Sequence, residues 1–187
     1  MKGDYQLTPS LRDSTTGIVG MGRIGKAIAR RLDAMQVPVV YHTRRPTDVA
    51  YRHYPSLTGM ARDADVLIVI TPGGAATRNL VNAEVLEALG PNGILINVAR
   101  GSVVDEAALI QALKDKTILS AGLDVFVDEP TVPAELMAME NVVLLPHVGS
   151  ASEPTRRAMD TLVADNIIAW FAGKGPLTPV PETPVRK

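Results

Sequence analysis

In the second half of the chain, an arginine, two acidic residues and a histidine stand just past short apolar runs. Arg100 follows in Asn97-Val98-Ala99-Arg100-Gly101, Asp124 and Glu129 in Gly122-Leu123-Asp124-Val125-Phe126-Val127-Asp128-Glu129-Pro130, and His147 in Pro146-His147-Val148-Gly149. Each type has its own chemistry. A guanidinium holds a carboxylate through two parallel N–H bonds. An imidazole delivers or takes a proton near neutral pH. A carboxylate beside the imidazole orients it. Together they suit reduction of a carbonyl that neighbours a carboxylate. Singly, each has a plainer role: Arg100 can cap or pair at the surface, Glu129 can be a solvated loop charge, and His147 can be structural.

A second feature is Gly20-Met21-Gly22-Arg23-Ile24-Gly25, a GxGxxG run with an apolar stretch before it and an amphipathic one after it. In that setting the first glycine permits a tight turn, the second lets backbone approach a pyrophosphate, and the third lets helix pack on strand. Arg23 and Ile24 then open a helix whose free N–H groups and positive dipole end face the phosphates. The alternative is a tight turn with no ligand. Choice of dinucleotide rests on the end of the second strand, where an acidic residue about twenty positions on would hold the ribose hydroxyls of NAD. The stretch Val39-Val40-Tyr41-His42-Thr43-Arg44-Arg45-Pro46 has no carboxylate. Arg44 and Arg45 can pair with a 2′-phosphate and Thr43 can hydrogen-bond it, so NADP is expected ahead of NAD. The alternative is a solvated pair of arginines.

The elements that must position these residues read as an alternation. Apolar, β-branched runs occur at Gly17–Gly20, Val37–Tyr41, Val66–Ile70, Ile94–Val98, Thr117–Leu119 and Val142–Leu145. Continuous apolar runs signal burial on both faces, as in a parallel sheet. Helical patterns lie between them. Arg23 to Met35 puts Ile24, Ala27, Ile28 and Leu32 on one stripe; Ala83–Leu89 and Asp105–Lys114 read alike; Ala151–Phe171 places Met159, Leu162, Val163, Ile167 and Trp170 at helical spacing. The expected fold is α/β: a doubly wound parallel sheet of about six strands in three α/β/α layers. Ligands in such sheets sit beyond the carboxyl ends of the strands, so Arg100, Glu129 and His147 should converge on one rim. Residues 1–15 are expected as a linker, 16–172 as the dinucleotide-binding domain, and the Pro-rich 173–187 as a tail or strap.

Composition limits the alternatives. The 187 residues carry 19 Lys+Arg against 20 Asp+Glu, a net charge of -1, which argues against a general electrostatic hold on nucleic acid or anionic membrane. No apolar run is long enough to span a bilayer, and the opening residues lack the apolar segment of a signal peptide. The absence of cysteine excludes disulfides and thiol catalysis and fits a reducing, cytoplasmic setting. The three histidines, His42, His53 and His147, show no metal-ligating spacing, so no metal is expected. The methionines at 21, 35, 60, 137, 139 and 159 are expected in the core.

The glycine run, Asn97-Val98-Ala99-Arg100-Gly101-Ser102-Val103-Val104-Asp105-Glu106, Gly122-Leu123-Asp124-Val125-Phe126 with Glu129-Pro130, and Leu145-Pro146-His147-Val148-Gly149-Ser150 together resemble the D-isomer-specific 2-hydroxyacid dehydrogenases, in order and spacing across almost the whole chain. The basic end of the second strand is similar to the glyoxylate/hydroxypyruvate reductase branch. The resemblance implies a Rossmann domain and an NAD(P)-dependent reduction of a small 2-oxo acid. Hydride would pass from the cofactor to the keto carbon, Arg100 would bind the carboxylate and carbonyl, His147 would be the acid/base, and Glu129 its partner. Asp124 would hold the nicotinamide carboxamide. Thr71, Pro72 and Thr77, with Val98, Ala99 and Gly149, would line the cofactor. Family members are longer, two-domain proteins, so the substrate domain is expected to be largely absent here. A homodimer through the cofactor domain is also implied. The other reading is a dinucleotide-binding or dimerisation module without catalysis.

Overall fold

The computed structural model describes residues 10–180, so the expected linker is seen only from Ser10 and the expected tail only as far as Val180. The strands are β1 (Thr16–Val19), β2 (Val39–His42), β3 (Arg52–Tyr54), β4 (Val66–Val69), β5 (Ile94–Asn97), β6 (Ser120–Leu123) and β7 (Val142–Leu144). The helices are α1 (Arg23–Ala34), α2 (Leu57–Asp63), α3 (Ala83–Leu89), α4 (Glu106–Lys114), α5 (Ala134–Met137) and α6 (Glu153–Phe171). All strand pairs are parallel, and the sheet order is β3-β2-β1-β4-β5-β6-β7. The chain builds outward from β1 to β3, then returns to add β4 on the other side of β1. That reversal opens a crevice past the ends of β1 and β4.

Every residue of β1 and β4 is buried, as their continuous apolar character requires. Alternate residues serve opposite faces. Ile18 and Tyr41 pack with Met21 and Ala29 beneath α1. Val19, Val40, Leu67, Val69 and Leu95 belong to a larger cluster with residues of α2, α3 and α4 on the other face. The result is three layers. Side chains start three of the helices: Ser56 accepts from Gly59 N at α2, Asn82 from Val85 N at α3, and Asp105 from Ala108 N at α4. At α1 the corresponding residue is Gly22, and no side chain caps the first turn.

Among the described residues the sheet has seven strands rather than about six. β3 was not expected from Arg52-His53-Tyr54, which is short and polar, and neither were the short helices α2 and α5. The run Thr117–Leu119 is not a strand. Lys116 turns through a φ of 58°, the amides of Thr117 and Ile118 return to Ala112 O, and Ile118 enters the core from this turn. The strand follows at Ser120-Ala121-Gly122-Leu123, so Gly122 and Leu123 lie within it rather than after it. Met21 and Met60 are core residues as expected, but Met35, Met137 and Met159 are exposed. Ile24, expected on the buried stripe of α1, is also exposed.

One compact unit ends at His147 and a second begins at Val148. Within the second, α6 carries Pro154 in its first turn, where proline is tolerated. Residues after α6 fold back on it: Thr178 N donates to Asn166 Oδ1 at 3.0 Å, and Asn166 Nδ2 donates to Thr178 Oγ1 at 3.1 Å. The apolar stripe Met159, Leu162, Val163, Ile167 and Trp170 is exposed.

Candidate active site

β1 runs into a turn that demands glycine. Gly20 has φ 108°, and its N–H donates to His42 O at 3.0 Å. An ideal Cβ on Gly25 would lie 2.1 Å from Gly20 O, so only glycine lets α1 start this close to the turn. An ideal Cβ on Gly22 would meet nothing within 4 Å; that side of the turn is open. The first turn of α1 holds no acidic residue, and no side chain of its cap residue bonds the N–H groups there. This cradle fits a pyrophosphate. Gly20, Gly22, Arg23, Ile24 and Gly25 are the residues that would hold it.

Beyond β4, Thr71 lies beside Gly20, its Oγ1 buried without a hydrogen-bond partner among the described residues. The loop that follows, with Pro72, is closed by Thr77, whose hydroxyl donates to Pro72 O at 2.7 Å. That bond restrains a loop whose two adjacent glycines suggest mobility.

Beyond β2, Arg44 and Arg45 are exposed, and neither guanidinium is tied by a hydrogen bond or ion pair among the described residues. Thr43 Oγ1 donates to Arg45 O at 2.6 Å. That bond ties Thr43 into the loop that presents the arginines.

The third rim begins at β5. Buried Asn97 shapes its exit: its Oδ1 accepts from Ala99 N at 3.1 Å and its Nδ2 donates to Arg100 O at 3.2 Å. Val98 N donates to Val69 O, Ala99 is buried, and Arg100 is exposed with Nη1 donating to Ala99 O at 2.6 Å. Buried Asp124 follows β6 directly, its N–H on Asn97 O at 3.0 Å. Gly101 presses on the loop after β6, where an ideal Cβ would lie 2.0 Å from the backbone of Phe126. Two carboxylates shape that loop. Glu106 Oε2 accepts from Val127 N at 3.2 Å, and Glu129 Oε1 from Phe126 N at 3.0 Å.

The other oxygen of Glu129 meets His147 Nδ1 at 2.8 Å. A carboxylate only accepts, so Nδ1 carries the hydrogen, and Nε2 is the nitrogen left for chemistry. The imidazole is about half exposed and rests on a left-handed backbone, φ 54°. Such a conformation in a residue with a Cβ is uncommon and concentrates at functional sites. The bond from His147 chiefly, then that from Phe126 N, holds the Glu129 carboxyl below its usual value of 4.5; the charges of His147 and Arg100 act in the same direction. The Arg100 charge therefore bears on Glu129. The structure thus brings Arg100, Glu129 and His147 to one edge of the sheet. Gly149 lies in the second unit.

Sequence reasoning did not assign roles to Asn97, Gly101 or Glu106. The signal for Asn97 was a polar residue ending a buried strand. Gly101 and Glu106 act on a loop over twenty residues distant, which no local pattern shows. Among the described residues, no three His, Asp or Glu side chains gather as a metal site, and no helix is long and apolar enough to cross a membrane.

Residues 2–149 match the model of the NAD binding domain of the D-isomer specific 2-hydroxyacid dehydrogenases. The chain belongs to that family. It is 48% identical over 180 residues to glyoxylate/hydroxypyruvate reductase A of Arabidopsis thaliana, covering 96% of this chain and 58% of that protein. It is 44% identical over 172 residues to a 2-ketogluconate reductase of Gluconobacter oxydans, covering 91% of this chain and 56% of that protein. An NADPH-dependent glyoxylate/hydroxypyruvate reductase from Sinorhizobium meliloti, solved with NADP and malonate, shares the fold with a TM-score of 0.94 at 57% identity, over 100% of this chain and 59% of that one. The chain therefore spans somewhat over half the length of the relatives it matches.

Two outcomes follow from the rim. Gly101→Ala forces a methyl group into the Phe126 backbone and should cost about 1–3 kcal/mol, read from the urea midpoint at unchanged slope. Glu129 holds its proton less tightly in the folded chain than in the unfolded one, so acid favours unfolding. Its contribution is complete above the usual carboxylate value of 4.5 and is lost as pH falls through the lowered folded value. In thermal melts between about pH 5 and pH 3, Glu129→Gln should therefore lose less stability than the parent.

Proposed function

We propose that this chain is the cofactor-binding part of a reductase that converts small 2-oxo acids of the glyoxylate or hydroxypyruvate type to D-2-hydroxy acids, with NADPH preferred to NADH. The observation that carries the proposal is the His147–Glu129 pair at 2.8 Å, on the sheet edge that also presents Arg100 and the glycine turn. The bound dinucleotide supplies the hydride. Arg100 grips the substrate carboxylate and draws electron density from the carbonyl oxygen. His147 gives a proton to that oxygen as its charge develops. Glu129, ionised at neutral pH, fixes the ring and balances the imidazolium. Thr71, Pro72, Thr77, Val98 and Ala99 line the cofactor, and Asp124 holds the carboxamide of its nicotinamide. Arg44 and Arg45 take the 2′-phosphate, which accords with NADP in the Sinorhizobium meliloti relative.

A homodimer through the cofactor domain and a cytoplasmic setting belong to the same proposal. The first is supported by Val143 and Leu145, apolar and exposed at the β7 edge. The second is supported by a cysteine-free composition suited to a reducing compartment.

Loss of near-ultraviolet nicotinamide absorbance with glyoxylate or hydroxypyruvate tests the chemistry. His147→Gln should lower kcat by about 10²–10⁴-fold. Unchanged turnover would remove His147 from the acid role. Cofactor binding with no turnover of any 2-oxo acid, in a protein that carries a substrate domain together with this chain, would favour a binding or dimerisation module instead.

A further inference from the structure

The loop that presents Arg44 and Arg45 is held by side chains from beneath. Tyr41 pairs with His53 and His42 with Tyr54 in the β2–β3 register. At the last of these pairs the backbone ladder stops, and imidazoles take over. His42 Nδ1 lies 2.9 Å from Tyr54 O, and His53 Nε2 lies 3.0 Å from Thr43 O. A carbonyl only accepts, so both ring nitrogens carry hydrogen and donate. Each imidazole thus stitches its own strand to the backbone of the other. Tyr41 closes the far side of the loop: its hydroxyl accepts from Thr47 N at 3.0 Å and donates to Thr47 O at 3.2 Å. The ring of His53 leans on that of Tyr41, with centroids 5.1 Å apart at 53°. Between the two clamped ends, at Thr43 and Thr47, sit Arg44 and Arg45, whose guanidinium groups have no hydrogen bond or ion pair among the described residues.

We propose that His53 is a positioning residue for the 2′-phosphate of the dinucleotide: its bond to Thr43 O fixes the base of the Arg44-Arg45 loop, so the two guanidinium groups meet the phosphate already ordered. This rests on the reading of Arg44 and Arg45 as the phosphate's ligands. The reasoning is one of cost. A free loop carrying two long side chains must lose its freedom on binding, and every restraint paid at folding is not paid again at binding. The contacts of His53 are with Thr43 O and the Tyr41 ring, within the protein, so on this reading its effect should fall on ligands that carry the 2′-phosphate. A third residue from the glycine turn ties into the same frame, since His42 O receives the Gly20 N–H. The pyrophosphate cradle and the arginine loop are therefore braced against one another through β2.

Two substitutions separate the hydrogen bond from the ring packing. His53→Phe keeps an aromatic ring against Tyr41 and removes the donor. His53→Gln restores an N–H donor without the ring. Calorimetric titration of the chain with 2′,5′-ADP and with 5′-AMP reads the effect without any turnover, and circular dichroism melts confirm that each variant is folded. In His53→Phe, affinity for 2′,5′-ADP should fall about fivefold to tenfold while affinity for 5′-AMP stays the same. In His53→Gln most of the 2′,5′-ADP affinity should return. An unchanged preference in the Phe variant, an equal loss for both ligands, or a Gln variant as weak as Phe would each overturn the positioning role. If the unaltered chain binds 2′,5′-ADP no better than 5′-AMP, the assignment of Arg44 and Arg45 falls first, and the role of His53 with it.

Discussion

The carbonyl of Gly20 occupies the space that the Cβ of any other residue at position 25 would need. This contact between turn and helix brings the start of α1 directly over the end of β1. Because every strand pair is parallel, all the strand ends that carry chemistry emerge on the same edge, and α1 points its first turn into that edge. A second contact of the same kind joins Gly101 to the Phe126 backbone. It draws the residue after Arg100 against the loop that ends in Glu129. The site is thus assembled by backbone meeting backbone, with side chains added to a frame already closed.

Polar side chains finish what the glycines begin. Asn97 turns the chain out of β5, Glu106 reaches from α4 to the loop after β6, and Glu129 uses one oxygen on that loop and the other on His147. The carboxylate that orients the imidazole is therefore itself oriented by an amide N–H. Such outer support is what keeps a proton donor in a single tautomer.

The parts legible in the sequence were those whose cause is local. A GxGxxG run between strand and helix signals itself, because each glycine answers a steric demand within six residues. The apolar runs that hold β1, β4 and β5 were equally plain. Long-range causes hid the rest. β3 is a short run, Arg52-His53-Tyr54, made into a strand by its neighbour β2. Thr117-Ile118-Leu119 has the composition of a strand, yet Ile118 is buried by a turn packed under α4, and the strand follows in small residues, Ala121 and Gly122. The candidate site divides the same way. Arg100, Glu129 and His147 were visible as chemical types at strand ends. Asn97, Gly101, Glu106 and His53 serve residues distant in sequence or backbone atoms with no signature of their own.

A sheet built only from parallel pairs contains no hairpin. None of its ladders can zip from a tight turn, because each strand must wait for a crossover or long loop to bring its neighbour alongside. The nucleus of such a chain has to form between a helix and the strands it covers, and its rate of formation is set by the entropy of closing those connections. Until they close, the apolar strands β1 and β4 present unpaired N–H and C=O groups along open edges, and the chain is then most exposed to pairing with another of its kind.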